Sequence, residues 1–139
     1  MRVYSLLLGA LFLCLTACGG DAVADQQNLL IGHWDLVEGQ RNGKITESLK
    51  GTYFDFTSEG KMSTNLPIRG GMDSPYVIKE GEIIQTIIND LQIKYKIVNL
   101  TPQNLKLTTS LRGYDFVFSL EKETKVLSLN EEEGALLQE

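Results

Sequence analysis

Two thiols, one imidazole and a scatter of carboxylates are the groups this chain offers for covalent or acid–base chemistry. Cys14 lies inside an apolar run, and Cys18 closes that run in the order Leu15-Thr16-Ala17-Cys18, ahead of Gly19 and Gly20. Two small residues beside a thiol leave room for an enzyme to reach it. His33 is the only histidine, so any Ser-His-Asp relay would have to use it. Its neighbour Trp34 takes the inward position of an extended segment, which turns His33 outward. No cluster of histidines or cysteines has the spacing of a metal site, and Glu131-Glu132-Glu133 lacks the alternating Asp/Asn ligands of a calcium loop. Gly70-Gly71 is not followed by the lysine and helix start of a phosphate loop. This inventory disfavours an enzyme, a metal centre or a bound cofactor. It leaves Cys18 as the residue with assignable chemistry.

Arg2 makes the N-terminus positive, and the apolar run Leu6–Leu15 has the length of a signal-peptide core, too short for a permanent span. Aliphatic, small, small, cysteine at the end of such a run resembles a bacterial lipobox. The resemblance implies that residues 1–17 are a signal peptide, that the Cys18 thiol carries a diacylglyceryl group, and that Cys18 becomes the new N-terminus. Acyl chains worth about 0.8 kcal/mol per buried methylene anchor a domain without help from a basic patch. Residues 18–28 are small or polar after the cysteine and read as a flexible linker. The implied location is the cell envelope, lipid-anchored. Gly19, where an aspartate would favour inner-membrane retention, points to the outer membrane, with both its faces open.

The rest of the 139-residue chain is a single-domain length. With Cys14 removed and Cys18 acylated it has no disulfide, so a packed core must hold it. The full chain carries a net charge of −5, and losing Arg2 makes it one unit more negative. That balance argues against nucleic acid as a partner.

Turn signals recur at short intervals from Leu30 onward: Asn42-Gly43, Glu59-Gly60, Glu80-Gly81, Asn89-Asp90, Thr101-Pro102 and Arg112-Gly113. Between them, apolar and polar residues alternate. Leu91, Ile93, Tyr95 and Ile97 share one face, as do Tyr114, Phe116, Phe118 and Leu120. A half-buried antiparallel strand has this period and a helix does not. The spacing predicts eight strands, at 31–40, 50–57, 60–66, 75–80, 82–89, 91–99, 104–111 and 113–121. Eight strands with one apolar face each and no strong amphipathic helix to cover them predict an all-β, antiparallel, up-and-down barrel. The barrel domain spans 29–123, with a C-terminal tail at 124–139.

The first predicted strand begins Gly32-His33-Trp34. A Gly-x-Trp at this place, ahead of an eight-strand meander, resembles the lipocalin superfamily and its short envelope lipoproteins of the Bacteroidetes type. The resemblance implies a barrel bent tightly at Gly32 and closed at its base by the Trp34 indole. A basic residue often packs over that tryptophan, and Lys122 stands at a suitable place, where a solvated lysine is the plainer reading.

An eight-stranded barrel either fills with its own side chains or holds one small ligand. Phe54, Phe56, Tyr76, Tyr95, Phe116 and Phe118 are candidates to line such a site, and they suit a packed core equally. The inward set also takes in Leu36, Met62, Leu66, Ile78, Leu105 and Leu107. The longest irregular connection, 67–75, is the natural lid, and Arg69 on it could pair with a ligand carboxylate. Two functions follow. One is a membrane-anchored binding module for a small apolar or amphipathic molecule. The other is a filled barrel that docks or inhibits an envelope protein.

Overall fold

The computed structural model describes residues 20–125. The expected signal peptide at 1–17, Cys18 and the residues beyond 125 lie outside the described residues. An α-helix, α1 (Gly20–Leu30), precedes nine strands: β1 (Gly32–Arg41), β2 (Lys44–Ile45), β3 (Tyr53–Phe56), β4 (Lys61–Thr64), β5 (Ser74–Lys79), β6 (Glu82–Thr86), β7 (Gln92–Leu100), β8 (Asn104–Leu111) and β9 (Tyr114–Lys122). Single 3₁₀ turns lie at Glu47–Leu49 and Ile88–Asp90.

All pairings are antiparallel between neighbours. β1 also pairs β9, from Trp34 opposite Lys122 to Arg41 opposite Phe116. That pairing closes eight strands into a barrel, and β2 is a short hairpin flap on the far end of β1. The expected all-β, eight-stranded up-and-down barrel is the fold found.

Three hairpins put a left-handed residue before a glycine: Asn42-Gly43 (φ 50°, 76°), Glu80-Gly81 (52°, 76°) and Arg112-Gly113 (51°, 82°). This is the turn whose twist matches the flanking strands. Within the eight-stranded barrel the β4–β5 seam is the shortest, with only Lys61–Pro75 and Met62–Ser74 opposed.

Several expectations change. Residues 18–28 were expected to be a flexible linker, yet α1 occupies 20–30. Its stability is tertiary. Leu30 is fully buried, and the orphan carbonyls at the helix end receive donors from the barrel. The Trp34 indole donates to the Leu30 carbonyl at 2.8 Å, and the Lys122 ammonium donates to the Leu29 and Ile31 carbonyls at 2.7 and 2.9 Å. The strand expected at 82–89 ends at Thr86, because Asn89 and Asp90 turn left-handed (φ 61° and 57°). Leu91 precedes the first paired residue of β7 and is 61% exposed, and Tyr114 stands at the rim, 46% exposed. Neither belongs to the buried core. Among the described residues no helix is long and apolar enough to cross a membrane.

The strand directions give the barrel two different ends. α1, the chain start of β1 and the end of β9 gather at the closed end. The β1–β2 hairpin, the long connection from β4 to β5, the Ile88–Asp90 turn and the β8–β9 hairpin gather at the open end.

Candidate functional site

At the closed end, Gly32 adopts φ +134°, a region L-residues rarely enter, and its bare Cα lies against the Lys122 stem. The Lys122 ammonium then sits 4.9 Å over the Trp34 ring. Burial pulls its pKa below the ordinary lysine value, and the two carbonyls and the indole face offset the lost hydration. Gly32, Trp34 and Lys122 thus form the barrel's floor.

Aromatic rings fill the space above. Phe54 meets Tyr95 and Phe118 edge-on at 5.5 and 5.4 Å, and Phe56 meets Tyr76 at 5.3 Å. Phe118 stacks on Phe116 at 6.1 Å, which reaches Tyr114 at 6.4 Å. Trp34, Phe54, Tyr95 and Phe118 are fully buried. Edge-to-face pairs at such distances are attractive beyond their area. Of the six candidate lining aromatics, five are therefore core, and Phe116 alone is half-buried toward the mouth.

One polar chain runs through this core. The Tyr95 hydroxyl donates to Gln85 Oε1 at 2.9 Å, Gln85 Nε2 donates to Ser74 Oγ at 2.6 Å, and the Ser74 hydroxyl donates to the Met62 carbonyl at 3.2 Å. Gln85 also reaches the Gly71 carbonyl at 3.4 Å. The Tyr76 hydroxyl is buried without a partner among the described residues. Burial pushes the pKa of both tyrosines up, so both stay protonated.

The open end carries a cleft of about 420 Å³. Its apolar lining is Leu49, Leu66, Ile68, Leu111 and Phe116, and its rim carries Arg41, Lys50 and Arg112. Asn65 stitches one wall, donating to the Gly51 carbonyl at 2.9 Å and accepting from the Tyr53 amide at 3.0 Å. The Arg41 guanidinium lies 5.1 Å over the Tyr114 ring.

The expected lid is pinned at its far half. Thr64 N donates to the Gly71 carbonyl at 2.9 Å, Asp73 N donates to Ser63 Oγ at 2.8 Å, and Lys61 pairs with Asp73 at 3.3 Å. Gly70 (φ +78°) passes so close to Ile88 that a Cβ would lie 2.8 Å from Ile88 Cγ1. Only the near half, Pro67 and Ile68, borders the cleft. Arg69 is exposed on this connection and is not among the cleft-lining residues. The basic rim comes instead from Arg41 at the end of β1, Lys50 just ahead of β3 and Arg112 in the β8–β9 hairpin, and no local spacing marks them as a group.

On the outer wall His33 lies between two carboxylates, with Nδ1 2.5 Å from Asp55 Oδ1 and Nε2 3.2 Å from Asp35 Oδ1. Tyr53 packs on its ring at 5.2 Å. Desolvation lowers the His33 pKa, but Asp55 and Asp35 outweigh it, and the net shift is upward. Two acceptors call for an imidazolium that donates from both nitrogens. Among the described residues no three His, Cys, Asp or Glu side chains gather as a metal site.

None of the family models, curated proteins or solved structures compared with this chain matches it.

Proposed function

We propose that this domain is a lipocalin-like module that holds one small apolar or amphipathic molecule in its mouth cleft, and that acylated Cys18 tethers it to the outer membrane. The observation that carries the reading is the cleft itself. It has an apolar floor of five side chains at the open end of an otherwise filled barrel. Its volume, about 420 Å³, lies in the lower part of the range for small-molecule sites. The packed aromatic column keeps a ligand near the surface, so the cleft and not a deep calyx would be the site.

Native mass spectrometry of the chain purified from an envelope fraction tests both halves. A retained small molecule, lost on Leu66→Arg, supports the binding role. A mass that starts at Cys18 and includes acyl chains supports the tether. An unmodified Cys18 with the N-terminal segment intact would remove the anchor.

A second reading has its own support. Ile45, Met72, Ile88 and Leu91 are all exposed large apolar residues on open-end connections. Such a rim suits docking to a protein partner. Cross-linking that recovers one dominant envelope protein, with no retained small molecule, would favour it.

A further inference from the structure

Resting on the mouth-cleft reading, we infer that the ligand is an anionic amphiphile, with a short apolar body on the cleft floor and a carboxylate or phosphate head at Arg41, Lys50 and Arg112. Charge placement is the first ground. The chain is net negative, at −5, yet no acidic residue lines the cleft and three cations do. The ion pairs among the described residues are His33 with Asp35 and Asp55, and Lys61 with Asp73. Arg41, Lys50 and Arg112 have no carboxylate partner there.

Residue choice is the second ground. The described arginines are Arg41, Arg69 and Arg112, and all three sit at the open end, at the end of β1, on the β4–β5 connection and in the β8–β9 hairpin. A guanidinium presents a planar fork that matches carboxylate and phosphate oxygens, which a lysine cannot do. Arg41 is already oriented by the Tyr114 ring at 5.1 Å. Arg112 occupies a left-handed turn position (φ +51°) where asparagine is the more favourable residue. The turn therefore gives no backbone reason for an arginine.

Isothermal titration of the chain from residue 18 onward, carrying Cys18→Ser, would compare decanoate, decyl phosphate and decanol. The three probes share one tail and differ at the head. The expected result is that an anionic probe binds at least about tenfold tighter than decanol, the advantage of one good charged contact. That advantage should shrink as salt is raised, because rim charges are screened. The tighter of the two anions names the head group.

Arg112→Asn is the decisive variant, since its turn accepts asparagine and the unfolding midpoint should hold. It should cut the anion-over-decanol ratio by about tenfold. Glu80→Asn, at the equivalent position of a closed-end hairpin, should leave the ratio alone. Equal binding of all three probes overturns the anionic head while the apolar cleft stands. An anion advantage that survives Arg112→Asn at every salt concentration also overturns it. Binding of none of the probes overturns both readings.

Discussion

Gln85→Leu should cost stability by stranding one hydroxyl, and a second substitution should return most of it. Gln85 is fully buried, as is Tyr95, whose hydroxyl donates to it at 2.9 Å. Removing the amide leaves that hydroxyl without an acceptor in a dry interior, at about 1–3 kcal/mol. The extra apolar surface of leucine offsets some of this, on the order of 1 kcal/mol. Ser74 keeps its own bond to the Met62 carbonyl at 3.2 Å, and the Gly71 carbonyl keeps the Thr64 amide at 2.9 Å, so neither adds much. The expected net loss is about 1–2 kcal/mol. Tyr95→Phe alone strands Gln85 Oε1 and should cost about the same. The double variant removes donor and acceptor together, so its cost should fall short of the sum by about 1–2 kcal/mol. Equilibrium urea unfolding of all four proteins, followed by Trp34 fluorescence, measures this. Amide exchange in 67–74 should quicken in Gln85→Leu, because Gln85 ties that connection to the core. Strict additivity, within about 0.3 kcal/mol, would refute the reasoning.

Three further perturbations probe other parts of the fold. Trp34→Ala should cost about 3–5 kcal/mol, as for a fully buried indole; a loss below about 1 kcal/mol in thermal unfolding would contradict its place at the barrel floor. Lys122→Met keeps the stem against Gly32 but deletes the donor to Leu29 and Ile31, so α1 amides should exchange faster, with a global loss of about 1–3 kcal/mol; unchanged exchange across 20–30 would show that the ammonium does not hold the helix. The folded pKa of His33 lies above the unfolded 6.5, so its contribution is fully present below about 6.5 and fades as pH rises through the folded value. The unfolding midpoint should therefore drop as pH rises above about 6.5 in the parent protein and flatten in His33→Gln; an equal drop in the variant would assign the titration elsewhere.

The barrel was readable because its information is local. Alternation over a few residues sets which face is buried, and pairs such as Asn42-Gly43 and Arg112-Gly113 set where the chain reverses. What misled was position along the barrel and not parity. Leu91 and Tyr114 follow the same alternation as Ile93 and Phe116, but each lies at the edge of the wall and stays exposed. The β1–β9 and β7–β8 pairings slip register at bulges by Val37 and Val98, which simple alternation does not reveal. Helix α1 was missed because its weak local pattern is completed by donors at Trp34 and Lys122. The cleft was missed for a related reason. Its walls come from segments that meet only after closure, so the long connection points to Arg69, while Arg41 at a strand end and Arg112 in a two-residue turn carry no local mark.

Pairing of β1 with β9 places Gly32 and Lys122 side by side, so the barrel is entered and left at its floor. An attachment made next to either described end therefore joins the barrel at the end opposite the mouth. For a lipid-tethered domain, α1 would lie between anchor and barrel, because it packs across the closed end against β5 and β7. A molecule entering the cleft would then arrive from the aqueous side and not from the leaflet beneath. The same geometry means that a tag joined directly after β9 starts at the end of the barrel opposite the mouth.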